Sequence, residues 1–381
     1  MSLVYANGLL LLMVLIELAI FHFKMKKKIF WREVIFNLNS GHILMWVLRG
    51  MEISAFYFVS IQWGFPLLEG WSYPLIWIFA FFTWDFCFYW LHRFHHKFSF
   101  LWAIHLVHHE GEHFNLSLGI RNSWYSSLTS FPFFIGLALI GVPVEIFIAT
   151  SSIHYVIQFY NHNGIVKNSG WLEKIMISPS LHRVHHGINP EYIDRNFGGT
   201  LVIWDKIFGT YQPELISVPV ICGVKDYVKS YDILLANNLP FFRYFGFKSV
   251  KVSKNKIFYK VPEYLIASGG VLLFGLLLFY ISIEKTWQAN HKVVLFSIIF
   301  IGTIANGGIS ENKKWGIVFW LINFTVFSLF FIYYENINEP VLLILSGLLS
   351  LHSIIILIKS KKHTTKVTVV QPPKGIKSNP N

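Results

Sequence analysis

The chain has 381 residues, of which 54% are hydrophobic and only 14% charged. A soluble protein of this size carries about 25% charged residues, so the composition excludes an ordinary water-soluble fold if the apolar residues come in spanning runs. The net charge of +12 would suit a nucleic-acid binder, but the lysines and arginines flank apolar runs and form no patch of their own.

A membrane-crossing helix needs about 20 mainly apolar residues. Such runs fall near residues 3–22, 41–61, 72–91, 126–141, 143–160, 262–282, 291–308, 315–334 and 339–358, which predicts an all-α, polytopic membrane protein with nine spans. The first run has no basic residue before it and no cleavage site after it, and reads as a retained anchor. Arg49 and Glu52, three apart in the second run, read as a pair that neutralises itself. The third run continues as one helix into a water-facing, histidine-rich stretch, 92–125. The two short runs around Gly141–Pro143 read as a hairpin that returns the chain to the same side. Residues 161–260 are polar, with turn signals such as Asn163-Gly164 and Asn189-Pro190. Four further runs carry no histidine cluster, and the tail from Lys359 lacks the apolar residues for a core. This divides the chain into N-terminal transmembrane segments (1–70), a catalytic domain (71–260), a C-terminal transmembrane bundle (261–358) and a basic disordered tail (359–381).

Lys24, Lys26, Lys27, Lys28 and Arg32 follow the first run, Lys313 and Lys314 occupy a short loop, and Lys359, Lys361, Lys362 and Lys366 follow the last. Nine crossings with the N-terminus outside place all of these in the cytoplasm, as the positive-inside rule requires. There they orient the protein and meet anionic head groups, so no nucleic-acid partner is expected.

Cys87 and Cys222 are the only cysteines, which leaves no disulfide framework or thiolate metal site. Histidine is the anomalous residue, with twelve of seventeen between His92 and His186. WDFCFYWLHRFHH places His92 and His96 one helical turn apart, HLVHH supplies His105, His108 and His109, and HRVHH supplies His182, His185 and His186. Spacings of three and four gather the rings of each cluster on one helix face, where they can share a metal. Adjacent rings repel one another when protonated, and a bound cation favours the neutral form. Isolated histidines such as His22, His42, His291, His352 and His363 need no such reading, and His154, inside an apolar run, reads as structural. His95 and His113 fall off the pattern and read as supporting or exposed residues. Eight cluster histidines, with His162 as a ninth candidate, exceed what one metal uses and suit two. Imidazole binds zinc, copper, iron and nickel alike, but oxidation of an unactivated lipid C–H bond needs redox chemistry, which favours iron. Asp85, two turns before His92 inside the third run, could accept the second ring N–H of a ligand histidine or bond to a Trp or Tyr neighbour.

These motifs, together with LWAIHLVHHEGEHFNLSLGIRNSW, QFYNHN and SPSLHRVHHGINPEYIDRNFGGTLVIWDKIFGTY, resemble the fatty acid hydroxylase and sterol desaturase superfamily of membrane di-iron enzymes over about residues 80–212. Within it they look most like the alkylglycerol monooxygenase branch. The resemblance implies that His92, His96, His105, His108, His109, His162, His182, His185 and His186 hold two iron ions. It implies that Asn196 and Asp194 order the loop around them, with Asp85 and Asn196 as further residues of the catalytic site. Gln158 and Leu181 stand where some relatives carry histidine.

The implied reaction is O2-dependent hydroxylation of a lipid held in the bilayer. No GxGxxG, flavin or CxxC iron–sulfur pattern occurs, so a separate redox donor is expected: a reduced pterin, a ferredoxin or a cytochrome. A desaturase or C-methyl oxidase would use the same metals, and a noncatalytic metal-binding membrane protein the same ligands. A metal transporter would place its ligands near the bilayer midplane, whereas these follow the end of a span.

Overall fold

The computed structural model describes residues 3–40, 42–225, 227, 229–247, 255–283 and 286–366. Its helices are α1 (Leu3–Ala19), α2 (Trp31–Asn39), α3 (His42–Trp63), α4 (Tyr73–Lys97), α5 (Ser99–His109), α6 (Ser126–Ile140), α7 (Val144–Asn161), α8 (Pro179–His185), α9 (Ile203–Ile207), α10 (Ile233–Tyr244), α11 (Glu263–Ile283), α12 (Ala289–Ser310), α13 (Lys314–Ile322), α14 (Ser328–Tyr334) and α15 (Pro340–Lys359). Two strands, β1 (Asn255–Lys260) and β2 (Lys361–Lys366), pair antiparallel. The start of the tail is therefore ordered against the chain that precedes α11, contrary to the disorder expected there. The remainder of the tail, from residue 367, lies outside the described residues.

Among the described residues, six helical stretches are long and apolar enough to cross a membrane: Val4–Lys24, Tyr73–Lys97, Glu263–Ile283, Ala289–Ser310, Lys314–Tyr334 and Pro340–Lys359. They make the chain an integral membrane protein, but nine spans were expected. α6, at 15 residues, rises only about 22 Å, short of a hydrocarbon core of about 30 Å. α7 is longer; it follows α6 after a turn at Gly141 (φ 98°), and both arms of this hairpin pack on α3 and α4. α3 carries Arg49 and Glu52, 2.6 Å apart. As expected, they neutralise each other. Arg49 also donates to Ser151 of α7 (2.8 Å), and Ser130 of α6 donates to Glu52 (2.7 Å). Those bonds tie α3 to the hairpin.

The apolar side chains form two main cores, and neither follows the expected boundary at residue 70. One joins Val14 and Leu18 of α1 and Ile35 and Leu38 of α2 to Leu273 and Phe274 of α11, Ile298 of α12, Trp320 of α13 and Leu349 of α15. At Gly270 a Cβ would lie 2.2 Å from Ile35, so this glycine lets α2 lie directly on α11. The other core joins Phe56 of α3, Trp84 of α4, Phe134 of α6 and Phe147 of α7, with the Phe56 and Phe147 rings stacked at 4.0 Å. The first two helices thus belong with the C-terminal bundle, while α3 belongs with the histidine-bearing part.

α4 runs unbroken through His92 and His96 but ends at Phe98, whose extended backbone (φ −101°, ψ 121°) redirects the chain before α5. The single helix expected to continue beyond residue 92 is therefore two. The stretch read as water-facing is also largely buried, from Ala103 through Arg121, because its rings turn inward to meet those of α7 and α8.

Candidate metal centre

Four elements deliver the nine histidines to one place. His92 and His96 lie in the last turns of α4, His105, His108 and His109 at the end of α5, and His182 and His185 on α8, with His186 as its C-cap. α8 starts where Ser178 caps it and Pro179 fills its first turn, both favourable there. His162 caps the end of α7.

The rings sort into two groups: His92, His96, His105, His109 and His185 in one, and His108, His162, His182 and His186 in the other. Within each, one nitrogen from every member lies within 4.8 Å of all the others. By spacing, the three rings of each HxxHH cluster read as one face able to share a metal, and the structure instead divides both clusters. Residues four apart (92 and 96, 105 and 109, 182 and 186) stay together, whereas His108 and His185 point to the opposite group. On a helix of 3.6 residues per turn, positions i and i+4 are offset by about 40°, but i+3 leans about 60° the other way. Both helices α5 and α8 therefore bridge the two groups.

The tautomers follow from the backbone around the rings. His92 Nδ1–H donates to the carbonyl of Phe197 (2.8 Å), His108 to Arg121 (2.8 Å), His162 to Gln158 (2.8 Å) and His185 to Arg195 (2.9 Å). A carbonyl only accepts, so each of these Nδ1 atoms holds the proton and Nε2 keeps its lone pair. Yet Nε2 of His162 lies 3.2 Å from Nε2 of His108, lone pair against lone pair. The same crowding continues at His162–His182 (3.0 Å), His162–His186 (3.2 Å), His92–His105 (2.9 Å) and His109–His185 (3.0 Å). Nitrogens each about 2.1 Å from one cation and about 90° apart stand about 3 Å from each other. The donor set fits two imidazole-bound metal ions.

Burial and the neighbouring rings hold His105, His109, His182, His185 and His186 well below 6.5, and burial lowers His108 to about 4. Neutral rings are what a metal requires. The folded values lie below that of the unfolded chain, so the stability and metal affinity they supply are present above pH ~6.5 and decline as pH falls. Metal analysis after desalting at stepped pH is expected to show full retention at pH 7.5 and progressive loss between about pH 6.5 and 4. Retention unchanged across that window would contradict it.

Asp85 is fully buried but bonds to none of the nine rings. It accepts from the backbone N–H of Thr200 (3.0 Å) and Leu201 (3.1 Å) and from the indole of Trp204 (2.9 Å), and lies 3.3 Å from His154. Of its two expected partners, the Trp neighbour is the one present, and Asp85 pins the loop after α8. Replacing it with Asn should cost about 1–3 kcal/mol of stability, by leaving a buried N–H unpaired. The folded fraction should still carry the wild-type metal content, as paired unfolding and metal measurements would show.

Asn196 sits in the left-handed region (φ 52°) and faces the backbone. Its amide donates to the carbonyls of Leu181 (2.9 Å) and Gln212 (2.7 Å) and accepts from the N–H of Gln212 (2.8 Å). It orders the loop whose Arg195 and Phe197 carbonyls hold His185 and His92, and so positions two rings of the five-histidine group without joining it. Asp194, also left-handed (φ 57°), accepts from His96 Nδ1 at 3.3 Å. Leu181 packs with Ile177 and Val202, and Gln158 contributes its carbonyl to His162, so neither side chain joins the ligand groups. His95 stacks on His105 (5.3 Å) and bonds Thr129 (3.0 Å), and His154 bonds Thr200 (2.7 Å).

Other supporting residues carry little sequence signal. Arg121, wholly buried, pairs with Glu110, donates to the carbonyl of Val107 and to Asn37 (3.2 Å), and offers its own carbonyl to His108. Glu17 of α1 accepts from the N–H of Leu116 (2.6 Å) and Gly164 (2.7 Å). An acid inside an apolar run is the signal that could have marked Glu17. Glu33 of α2 accepts from the N–H of Glu112 (3.0 Å) and His113 (2.9 Å). Burial opposes ionisation of Glu33, but His113 and Lys229 outweigh it and lower the carboxyl to about 2. A third cluster, Glu33, Glu112 and His113, has metal-like proximity. Lys229 lies 2.9 Å from Glu33 and 2.7 Å from Glu112, so an ammonium already neutralises these acids. Beside it opens a cavity of about 840 Å³, lined in part by Phe21, Phe30, Glu33, Phe114 and Arg183. Phe114 separates it from His162 and His186, each 5.6 Å away between ring centroids.

Residues 77–210 match the fatty acid hydroxylase family. The chain is 38% identical to alkylglycerol monooxygenase of Danio rerio over 204 residues, 53% of this chain and 45% of that protein. To the Homo sapiens alkylglycerol monooxygenase it is 39% identical over 166 residues, 44% of this chain and 37% of that protein. To ornithine lipid hydroxylase OlsE of Rhizobium tropici it is 30% identical over 133 residues, 34% of this chain and 39% of that protein. In each case the chain spans less than half the length of the relative it matches. No solved structure matches it. The matched segment runs from α4 through α9 and contains all nine histidines of the two groups.

Proposed function

We propose that the chain is a membrane-embedded lipid hydroxylase whose nine histidines hold two iron ions on the cytoplasmic side. The observation that carries this reading is the pair of histidine groups crowded nitrogen against nitrogen, lying at the end of a span within the segment that matches the fatty acid hydroxylase family. The side is read from the lysines after α15, which follow, like the end of α4, an even number of the six spans. Relatives named for alkylglycerol and ornithine lipid oxidation support a lipid with a long apolar chain as substrate.

Bound iron would supply the redox chemistry, with O2, for replacing a C–H bond by C–OH. One oxygen atom enters the lipid, and the other leaves as water with two electrons and two protons from an external donor. The chain's own contribution is placement and exclusion. Backbone carbonyls of Phe197, Arg121, Gln158 and Arg195 fix four rings, and Asp194 holds a fifth. All-nitrogen ligation brings no negative charge of its own, so these bonds tune the centre. Phe114 and Phe197 pack on the rings and keep water from them.

The test is metal content together with O2- and reductant-dependent product formation, in membranes supplied with alkylglycerol, fatty acyl and ornithine lipids. Two irons per chain and an oxygenated product are expected. One zinc per chain, or product formed without O2, would reject the reading.

A further inference from the structure

The two histidine groups are not equally enclosed. Every member of the four-histidine group is buried, whereas His96 and His105 of the five-histidine group are less completely enclosed, the His96 side chain being 9% exposed. Over that open side lies one indole. Trp102 precedes His105 by three residues and His109 by seven, which puts it on the face of α5 that carries both. Its ring centroid lies 5.1 Å from His96, 5.4 Å from His109 and 6.4 Å from His105, so it covers three of the five rings. Trp102 is itself only partly buried. Nearby, where α4 meets α5, the surface is aromatic: Phe98 is 49% and Phe100 45% exposed, and Phe94 packs against Phe98 (5.3 Å) and Phe133 (5.8 Å). The four-histidine group has no such opening. Phe114 faces it, and the Arg121–Glu110 pair lies behind His108.

We propose that the five-histidine group is the accessible member of the pair, reached over Trp102, and that the bulk of this indole decides what passes. Small molecules approach this ion first. On the functional reading above, so does the reacting carbon of the lipid, its chain guided by the phenylalanines at the α4–α5 corner. Trp102 is then a specificity-determining residue: it leaves room for an unbranched chain and excludes a branch beside the oxidised carbon.

The first test needs no turnover. Full-length protein loaded with two ferrous ions is treated with a water-soluble iron chelator, and release is followed with time. Two phases of about one ion each are expected. Trp102→Ala should speed the fast phase by about 10-fold and leave the slow phase unchanged, with Trp102→Phe within about 2-fold of wild type. Phe114→Ala should leave the fast phase alone. A single phase, or Trp102→Ala acting on both phases equally or on the slow one, overturns the proposal. The second test compares straight-chain lipids with ones methylated beside the oxidised carbon. Trp102→Ala should raise kcat/KM for the branched substrate relative to the linear one, and an unchanged ratio removes the specificity role. Biphasic release with no product from any lipid would reject the hydroxylase reading while leaving the accessibility result intact.

Discussion

His108→Ala is expected to lower metal content from two ions per chain to about one, and to reduce O2-dependent lipid oxidation by at least ~100-fold. The size of the effect follows from how the rings are shared. His108 is the sole contribution of α5 to the four-histidine group, and its ring is fixed by the Arg121 carbonyl at 2.8 Å. Without it three rings remain, still crowded around His162. His185→Ala is the matching change for the other group, since His185 is the sole contribution of α8 there. Each variant should empty a different ion, so the chelator phase that survives should differ between them. If each cluster served its own metal, His105→Ala and His108→Ala would empty the same ion, whereas the division seen here puts these two rings in different groups. Activity persisting in both variants would remove the two-ion mechanism.

Arg121 carries the second large effect, this time on folding. Its guanidinium and the Glu110 carboxylate are both 0% exposed, and the guanidinium also lies 4.5 Å over the Phe36 ring. Arg121→Met leaves Glu110 buried without its partner, the case in which loss of half an ion pair costs about 3–5 kcal/mol. It also frees Asn37 of α2 and the Val107 carbonyl at the end of α5. Glu110→Gln should cost less, because the amide oxygen still accepts from Arg121. The double change Glu110→Leu with Arg121→Met should recover much of the loss, since two apolar groups need no partners. Denaturant or thermal unfolding in detergent reads the stability, and metal affinity of the folded fraction reads the second consequence. Because the Arg121 side chain anchors the segment whose carbonyl orients His108, Arg121→Met is expected to shift that carbonyl and weaken one ion by about 10–100-fold while sparing the other. Equal stability of all four proteins would show that the pair contributes nothing.

Much of the centre is legible in the sequence because local helical geometry makes it so. The spacings of His92 with His96, His105 with His109 and His182 with His186 each put two rings on one face, whatever surrounds the helix. Low charge and long apolar runs likewise demand a helical membrane protein, since only helices and closed barrels satisfy the backbone in lipid. What local spacing cannot reveal is which helices meet. Whether His108 joins His105 or His162 depends on where α5, α7 and α8 cross, and that packing sends the i+3 histidines to the opposite group.

The same holds for the residues behind the ligands. Asp85 stands at helical spacing from His92, yet it binds a loop more than a hundred residues away, at Thr200, Leu201 and Trp204. Glu17 and Glu33 lie in the N-terminal segments, but they cap the backbone of the loop that follows α5, because α1 and α2 pack into the C-terminal core. The span count also required the third dimension. α6 and α7 are apolar enough to read as crossings, but one is short, and they fold together as a hairpin beside α3 and α4. By itself the sequence determined the composition class, the helices and the pairing of rings one turn apart, since each depends on neighbours along the chain. Only the tertiary structure decided how nine histidines divide into two groups and which carbonyls orient them, because those depend on contacts between segments up to about a hundred residues apart.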